Sequence, residues 1–217
     1  MSLINFYTKL KDTKLPNPCY QAHMIDLPFR MLICTASGCG KTNFLINLIS
    51  MMDKTFASIT VVTKEHEALY DMLAEKIKNT KIHLYSETGV PPLDASSKKI
   101  SKLLVYDDLV LTKDPKIGES FIRARKLGYS LIYISQSYFG TPKIVRQNVN
   151  YIALGRGINI RDLRMILSEY SVDLNLDQLK DLYFNITKKP MTFMLFDFVK
   201  NNIRENINNV KFSSSEF

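Results

Sequence analysis

At 217 residues the chain suits one α/β domain and leaves little for a second core. Its 46% hydrophobic and 23% charged residues are the balance of a folded, soluble protein, and Lys, Asp and Glu interrupt each apolar stretch before it reaches bilayer length. Lys and Arg number 29 against 21 for Asp and Glu, and the formal net charge of +8 points to a polyanionic partner, nucleic acid or an acidic membrane surface, without choosing between them.

Lys9, Lys11, Asp12 and Lys14 stand where a signal peptide needs an apolar core, so an intracellular protein is expected. Cys19, Cys34 and Cys39 form no CxxC pair, and His23, His66 and His83 lack a ligand-like spacing. Neither a disulfide framework nor a zinc site is expected.

In chain order, residues 1–27 read as an extended N-terminal arm, broken by Pro16 and Pro18 and followed by Pro28. Met31–Thr35 is an apolar run suited to a buried parallel strand. Lys41–Met52 follows as a helix, with Phe44, Leu45, Leu48, Ile49 and Met52 on one face. Ser58–Thr63 predicts a second strand, Glu65–Lys78 a helix, Lys81–Tyr85 a strand, and Ser86–Ser97 a turn-rich connection. Lys102–Asp107 is a strongly apolar strand with an acidic end; Ile117–Leu127 is a helix stopped by Gly128. Ser130–Ser135, a short helix over Pro142–Val149, Tyr151–Leu154, helices over Ile160–Tyr170 and Asp177–Ile186, and a last strand over Met191–Phe198 complete the pattern. The alternation implies a three-layer α/β domain over 28–199 with a central, mostly parallel sheet. Residues 200–217, rich in Asn and Ser, are expected to form a flexible tail.

Thr35-Ala-Ser-Gly-Cys-Gly-Lys41-Thr42 lies between the first strand and the first helix, where a phosphate loop belongs. Gly38 and Gly40 let successive backbone N–H groups turn toward one phosphate, and the helix N-terminus adds positive dipole. ATP is therefore expected on Ala36, Ser37, Gly38, Cys39, Gly40, Lys41, Thr42 and Asn43, with Lys41 on the β- and γ-phosphates and the Thr42 hydroxyl on Mg²⁺. The GxxxxGK[ST] pattern has Gly at its first place and this chain has Thr35 there. Loop length is kept, so the cradle forms if Thr35 ends the strand in an extended conformation.

Leu103–Asp108 (LLVYDD) is an apolar strand ending in two carboxylates. Beside a phosphate loop, Asp107 is expected to serve the magnesium shell and Asp108 to activate the attacking water. Many P-loop ATPases carry Glu at the second position, and Asp reaches one methylene less far.

Leu27–Ile33, the GCGKTNFLINLI run, LLVYDD, Phe121–Lys126 (FIRARK) and Ser130–Asn148 (SLIYISQSYFGTPKIVRQN) together resemble the genome-packaging ATPases of nucleocytoplasmic large DNA viruses and virophages, within the FtsK/HerA superfamily. The resemblance covers roughly Leu27 to Arg156 and is most specific in ISQSYF followed by PKIVRQN. It implies a RecA-like (ASCE) P-loop NTPase that hydrolyses ATP with Mg²⁺ to package double-stranded DNA without reading its sequence. It further implies a homo-oligomeric ring, partners among capsid or inner-membrane vertex proteins, and a place in the host cytoplasm (the viral factory) and the virion. By the same resemblance Gln136 is the polar sensor facing γ-phosphate and water. Arg125, with Arg123 as the alternative, acts in trans on a neighbouring subunit's ATP, and Lys126 stands where family members often carry another basic residue. Lys126, Arg146 and Asn148 belong to the subunit interface or to the DNA channel. Tyr138 and Phe139 read as aromatic core packing in preference to base stacking. A cellular HerA-like translocase and a nucleotide-switched assembly factor are the competing readings. The short chain weighs against the first and the complete phosphate, magnesium and sensor set against the second. No NKxD motif supports a GTPase.

Overall fold

The apolar runs become the strands of one nine-stranded sheet in the computed structural model, which describes residues 14–77, 80–95 and 99–214. The strands are β1 (Arg30–Cys34), β2 (Ser58–Thr63), β3 (Thr80–Leu84), β4 (Lys102–Asp107), β5 (Tyr129–Ser135), β6 (Tyr151–Leu154), β7 (Met194–Asp197), β8 (Asn202–Glu205) and β9 (Asn209–Ser213). Their order is β3-β2-β4-β5-β1-β6-β7-β8-β9. Pairings from β3 to β6 are parallel, and those from β6 to β9 are antiparallel.

Parallel neighbours need crossovers, and helices supply them. In chain order the helices are α1 (Tyr20–His23), α2 (Lys41–Met51), α3 (Ala68–Lys76), α4 (Tyr85–Thr88), α5 (Pro115–Arg123), α6 (Lys143–Arg146), α7 (Ile160–Glu169) and α8 (Leu176–Thr187). Local sequence fixes several of their starts. Asp114 accepts from the Lys116 N–H with Pro115 in the first turn, Asn159 accepts from the Asp162 N–H, and Asn175 and Gln178 close a reciprocal capping box. The helix expected over Ile117–Leu127 splits into α5 and a 3-10 turn, Ala124–Leu127, which ends at Gly128 with a left-handed φ of 78°.

Central strands are buried on both faces, and alternate residues feed two cores. Leu32, Leu104, Tyr106, Leu131, Tyr133 and Ile152 pack with Phe121 of α5, Ile166 of α7 and Tyr183 of α8. Met31, Ile33, Leu103, Val105, Ile132 and Ala153 pack with Leu45 and Leu48 of α2 and Leu73 of α3. Among the described residues no helix is long and apolar enough to cross a membrane.

Both ends depart from expectation. Of the tail expected to be flexible over 200–217, residues 215–217 lie outside the described residues, but β8 and β9 form within the rest, with Ile203, Arg204 and Ile207 buried. Its ordering depends on a distant partner: the Arg204 guanidinium pairs with buried Asp197 and donates to the carbonyls of His23 (3.2 Å), Met24 (3.2 Å) and Ile207 (3.1 Å). Those same bonds hold the N-terminal segment. Of the expected arm, residues 1–13 lie outside the described residues, but Tyr20–His23 is a helical turn and both His23 and Ile25 are fully buried. The domain thus extends past both expected boundaries, 28 and 199.

Candidate functional site

In the parallel part of the sheet the strand C-termini share one edge, and that edge collects the phosphate loop, the acidic strand end and Gln136. The β1–α2 connection carries Gly38 at φ 71° and Gly40 at φ 90°, left-handed values that a side chain resists. They let the chain curl back so that the Cys39 N–H bonds the Ala36 carbonyl at 3.2 Å and α2 begins at Lys41. The non-glycine first position is resolved by tertiary packing. Thr35 is fully buried, its N–H donates to the Ser135 carbonyl (3.3 Å) and its hydroxyl to the Arg156 carbonyl (2.7 Å). Room for it comes from Gly155, where a Cβ would stand 2.5 Å from the Thr35 Oγ1; Gly157 likewise makes room for Ala36, at 2.6 Å. The glycine missing from the loop is supplied by Gly155, the residue directly after the neighbouring strand β6.

Asp107 closes β4, paired through Ile134 to β5, and β5 is paired through Ser135 to Cys34 of β1. Gln136, the next residue after β5, therefore emerges exposed between the P-loop strand and the acidic strand. Asp107 is 4% exposed, and its Oδ2 accepts from the Tyr70 hydroxyl at 2.6 Å. Lys41 is near enough that its charge favours the ionised carboxylate. Asp108 is exposed and takes a left-handed φ of 51°, which turns the second acid away from the strand line. The Thr42 hydroxyl donates to Glu67 Oε2 at 3.0 Å. Hydroxyl and carboxylate oxygens beside a phosphate cradle fit Mg²⁺, a hard ion commonly held by one or two protein oxygens together with substrate phosphates.

Glu67 and Tyr70, from the start of α3, were missed by sequence reasoning. They lie 25 and 37 residues from Thr42 and Asp107, and they belong to no motif. The sequence signal was two acids, Glu65 and Glu67, shortly after the second strand, with nothing to choose between them.

The family model for the poxvirus A32 protein matches residues 19–199, well over half of the chain. The chain belongs to the poxvirus A32 protein family. Among curated relatives, it is 25% identical over 193 residues to DNA packaging protein OPG160 of monkeypox virus, covering 78% of this chain and 63% of that one. The vaccinia virus (strain Copenhagen) protein of the same name is 26% identical over 167 residues, covering 69% and 61%. The chain thus spans somewhat under two thirds of the length of these relatives. Among solved structures, the genome packaging NTPase B204 of Sulfolobus turreted icosahedral virus 2, in complex with AMPPCP, matches with a TM-score of 0.60 at 16% identity, over 82% of this chain and 97% of that one. The cytoplasmic domain of the type VII secretion ATPase EccC from Thermomonospora curvata matches with a TM-score of 0.57 at 15% identity, over 87% and 26%. Both likenesses establish the P-loop ATPase fold.

In this A32-family chain the arginine candidates sit apart from the cradle. Arg125 lies exposed in the 3-10 turn that precedes β5, at the opposite end of the strand from Gln136. Seven strand residues separate the two ends, roughly 20 Å. It is close to Arg30, whose proton affinity is lowered first by burial and then by the charge of Arg125. Arg123 is exposed and paired with Glu119 one helical turn away, and Lys126 is exposed beside it.

Arg146 requires a correction. It is 7% exposed, pairs with Glu169 Oε1 at 2.6 Å, donates through Nε to the Thr141 carbonyl at 3.1 Å and lies 5.2 Å over the Tyr138 ring. A guanidinium so enclosed is a tie between α6 and α7 and cannot reach DNA or a neighbouring subunit. Asn148 is likewise occupied, accepting from Arg30 Nη1 (3.4 Å) and donating to the Ile144 carbonyl (2.8 Å). Tyr138 is fully buried, whereas Phe139 is 49% exposed under the Arg161 guanidinium, contrary to its expected place in the core.

Burial pushes the Asp107 carboxyl up to about 6; the Tyr70 hydrogen bond and Lys41 oppose this, and the charges of Glu67 and Asp108 add to it. A carboxyl with a folded-state pKa above its ordinary 3.8 holds its proton more tightly in the native state. In metal-free protein its ionised form is therefore destabilising above about pH 6, and that cost disappears as pH falls from about 6 toward 4. Asp107→Asn, which retains an acceptor for Tyr70, is expected to melt at a higher temperature than the parent at about pH 7.5 and at the same temperature near pH 4. Paired thermal melts in a metal chelator check this, and a gain that persists at the lower pH would refute it.

Proposed function

We propose that the chain is an ATP-hydrolysing motor that moves double-stranded DNA into a viral capsid as a homo-oligomeric ring. The observation that carries this reading is the gathering of Lys41, Thr42, Asp107 and Gln136 at one sheet edge. Relatives called DNA packaging proteins support the choice of DNA as the cargo.

In this reading the backbone of Ala36–Asn43 wraps the triphosphate and Lys41 neutralises its outer phosphates. Thr42 and Asp107 would hold Mg²⁺, which would supply charge neutralisation at the phosphates. Asp108 draws a proton from the attacking water and Gln136 orients it. A cleft of about 520 Å³ borders the loop through Arg156 and is lined by Ile158, Phe184 and Lys188; its apolar wall and cationic rim suit the nucleotide base. Arg125, at the far end of β5 from its own cradle, serves the ATP of the next subunit in the ring, with Arg123 as the second candidate. Arginine fingers contribute on the order of 10³–10⁵ in rate. The net charge of +8 serves sequence-independent contact with DNA phosphates, Lys126 among the exposed contributors. Capsid or inner-membrane vertex proteins dock the ring, in the viral factory of the host cytoplasm and in the virion.

Phosphate release with and without duplex DNA tests the assignment. DNA is expected to raise ATP turnover several-fold, and the stimulation to fall steeply between about 50 and 200 mM salt as counterions compete for the phosphates. Turnover indifferent to DNA at low salt would leave a nucleotide switch, and the motor reading would fail.

A further inference from the structure

We infer that Glu67 is a positioning residue of the metal site, the carboxylate that sets the Thr42 hydroxyl for Mg²⁺. The inference rests on the reading of Ala36–Asn43 as the ATP loop.

A threonine hydroxyl has one proton and two lone pairs, and it serves a cation only when its proton points elsewhere. Here the proton goes to Glu67 Oε2, 3.0 Å away. Lone pairs of the Thr42 oxygen are thereby left for the metal, and the orientation is in place before any ligand arrives. Glu67 occupies the residue before α3, a position that usually holds Ser, Thr, Asp or Asn with a side chain bonded to its own helix. Its backbone is extended there (φ −117°, ψ 135°), yet its side chain makes no capping bond to α3. The carboxylate serves the P-loop helix instead.

The same turn of α3 addresses the second candidate ligand. The Tyr70 N–H donates to the Glu67 carbonyl at 2.9 Å, and the Tyr70 hydroxyl donates to Asp107 Oδ2 at 2.6 Å. One helical turn thus offers an acceptor to Thr42 and a donor to Asp107, the two groups that would bind magnesium directly. Glu67 is also solvent-exposed, and Mg²⁺ keeps several of its waters when bound to protein. An exposed carboxylate beside the Thr42 oxygen could accept a hydrogen bond from such a water if the ion were bound. Groups that orient metal ligands in this way commonly change metal affinity about 10–100-fold when removed.

The test is a Mg²⁺ titration of the full chain with a fluorescent ATP analogue, reading binding by the fluorophore. Glu67→Ala is expected to raise the Mg²⁺ midpoint at least about 10-fold while leaving analogue affinity in EDTA unchanged. Glu67→Gln, whose carbonyl still accepts from Thr42, should fall between the two. In a Thr42→Ala background, Glu67→Ala should add little further effect, since the pair acts as a unit. An unchanged midpoint, an equal loss of affinity in EDTA, or full additivity with Thr42→Ala overturns the role of Glu67 alone. A parent chain that fails to bind the analogue, or a Lys41→Ala chain that binds it equally well, overturns the ATP reading and this inference with it.

Discussion

Lys41→Ala is expected to lower ATP turnover by at least about 10²–10³-fold, to the background of the assay. The lysine begins α2 at the foot of the loop, half-buried, with its charge felt at Asp107. Among the described residues it makes no ion pair, so its removal takes charge from the phosphate site without breaking a structural tie. The melting temperature should therefore stay within a few degrees of the parent. Asp108→Asn provides the contrast: the analogue still binds, because the cradle and Asp107 remain, while hydrolysis stops. Steady-state phosphate release and analogue binding separate the two variants. Turnover in the Lys41 variant equal to the parent's would end the proposed mechanism.

The largest stability effect is expected from Arg204→Ala. The guanidinium is fully buried, pairs with Asp197 and ties together β7, β8 and the carbonyls at the end of α1. Burial already pushes the Asp197 carboxyl upward, against the favourable charge of Arg204 and hydrogen bonds from the Val199 and Lys200 N–H groups. Removing the cation leaves a buried acid without its counter-charge, a change that ordinarily costs about 3–5 kcal/mol. The consequence reaches the nucleotide loop through packing. Phe193, next to β7, lies with its ring centroid 4.4 Å from that of Phe44 on α2. Denaturant unfolding should show a lower midpoint for Arg204→Ala with weakened nucleotide binding. A loss below about 1 kcal/mol would mean that the pair holds little of the fold together.

The parallel core was legible in the sequence because its signals are local. Strands buried on both faces read as apolar runs, their helices as 3.6-residue periodicity, and the phosphate loop as small residues at the junction. Cap residues such as Asn175 and the stop at Gly128 are likewise set within a few positions of the chain. Asp107 was placed by the same logic, since it directly ends an apolar run, whereas the role of Gln136 came from the family resemblance.

What remained hidden has its cause in a partner far along the chain. Thr35 fits only because Gly155 faces it, 120 residues later. Arg146 looked like a surface cation until Glu169 and Tyr138 closed around it, and the tail looked polar until Asp197 and the His23 carbonyl received Arg204. Glu67 was one acid among 21, and only the packing of α3 beside α2 brings it to Thr42. The sequence by itself determined the strand–loop–helix cradle and the acidic strand end, because short-range periodicity and backbone freedom encode them. Tertiary structure decided which polar side chains meet, because a polar group's role is set by the partner that desolvation brings to it, and no local pattern names that partner.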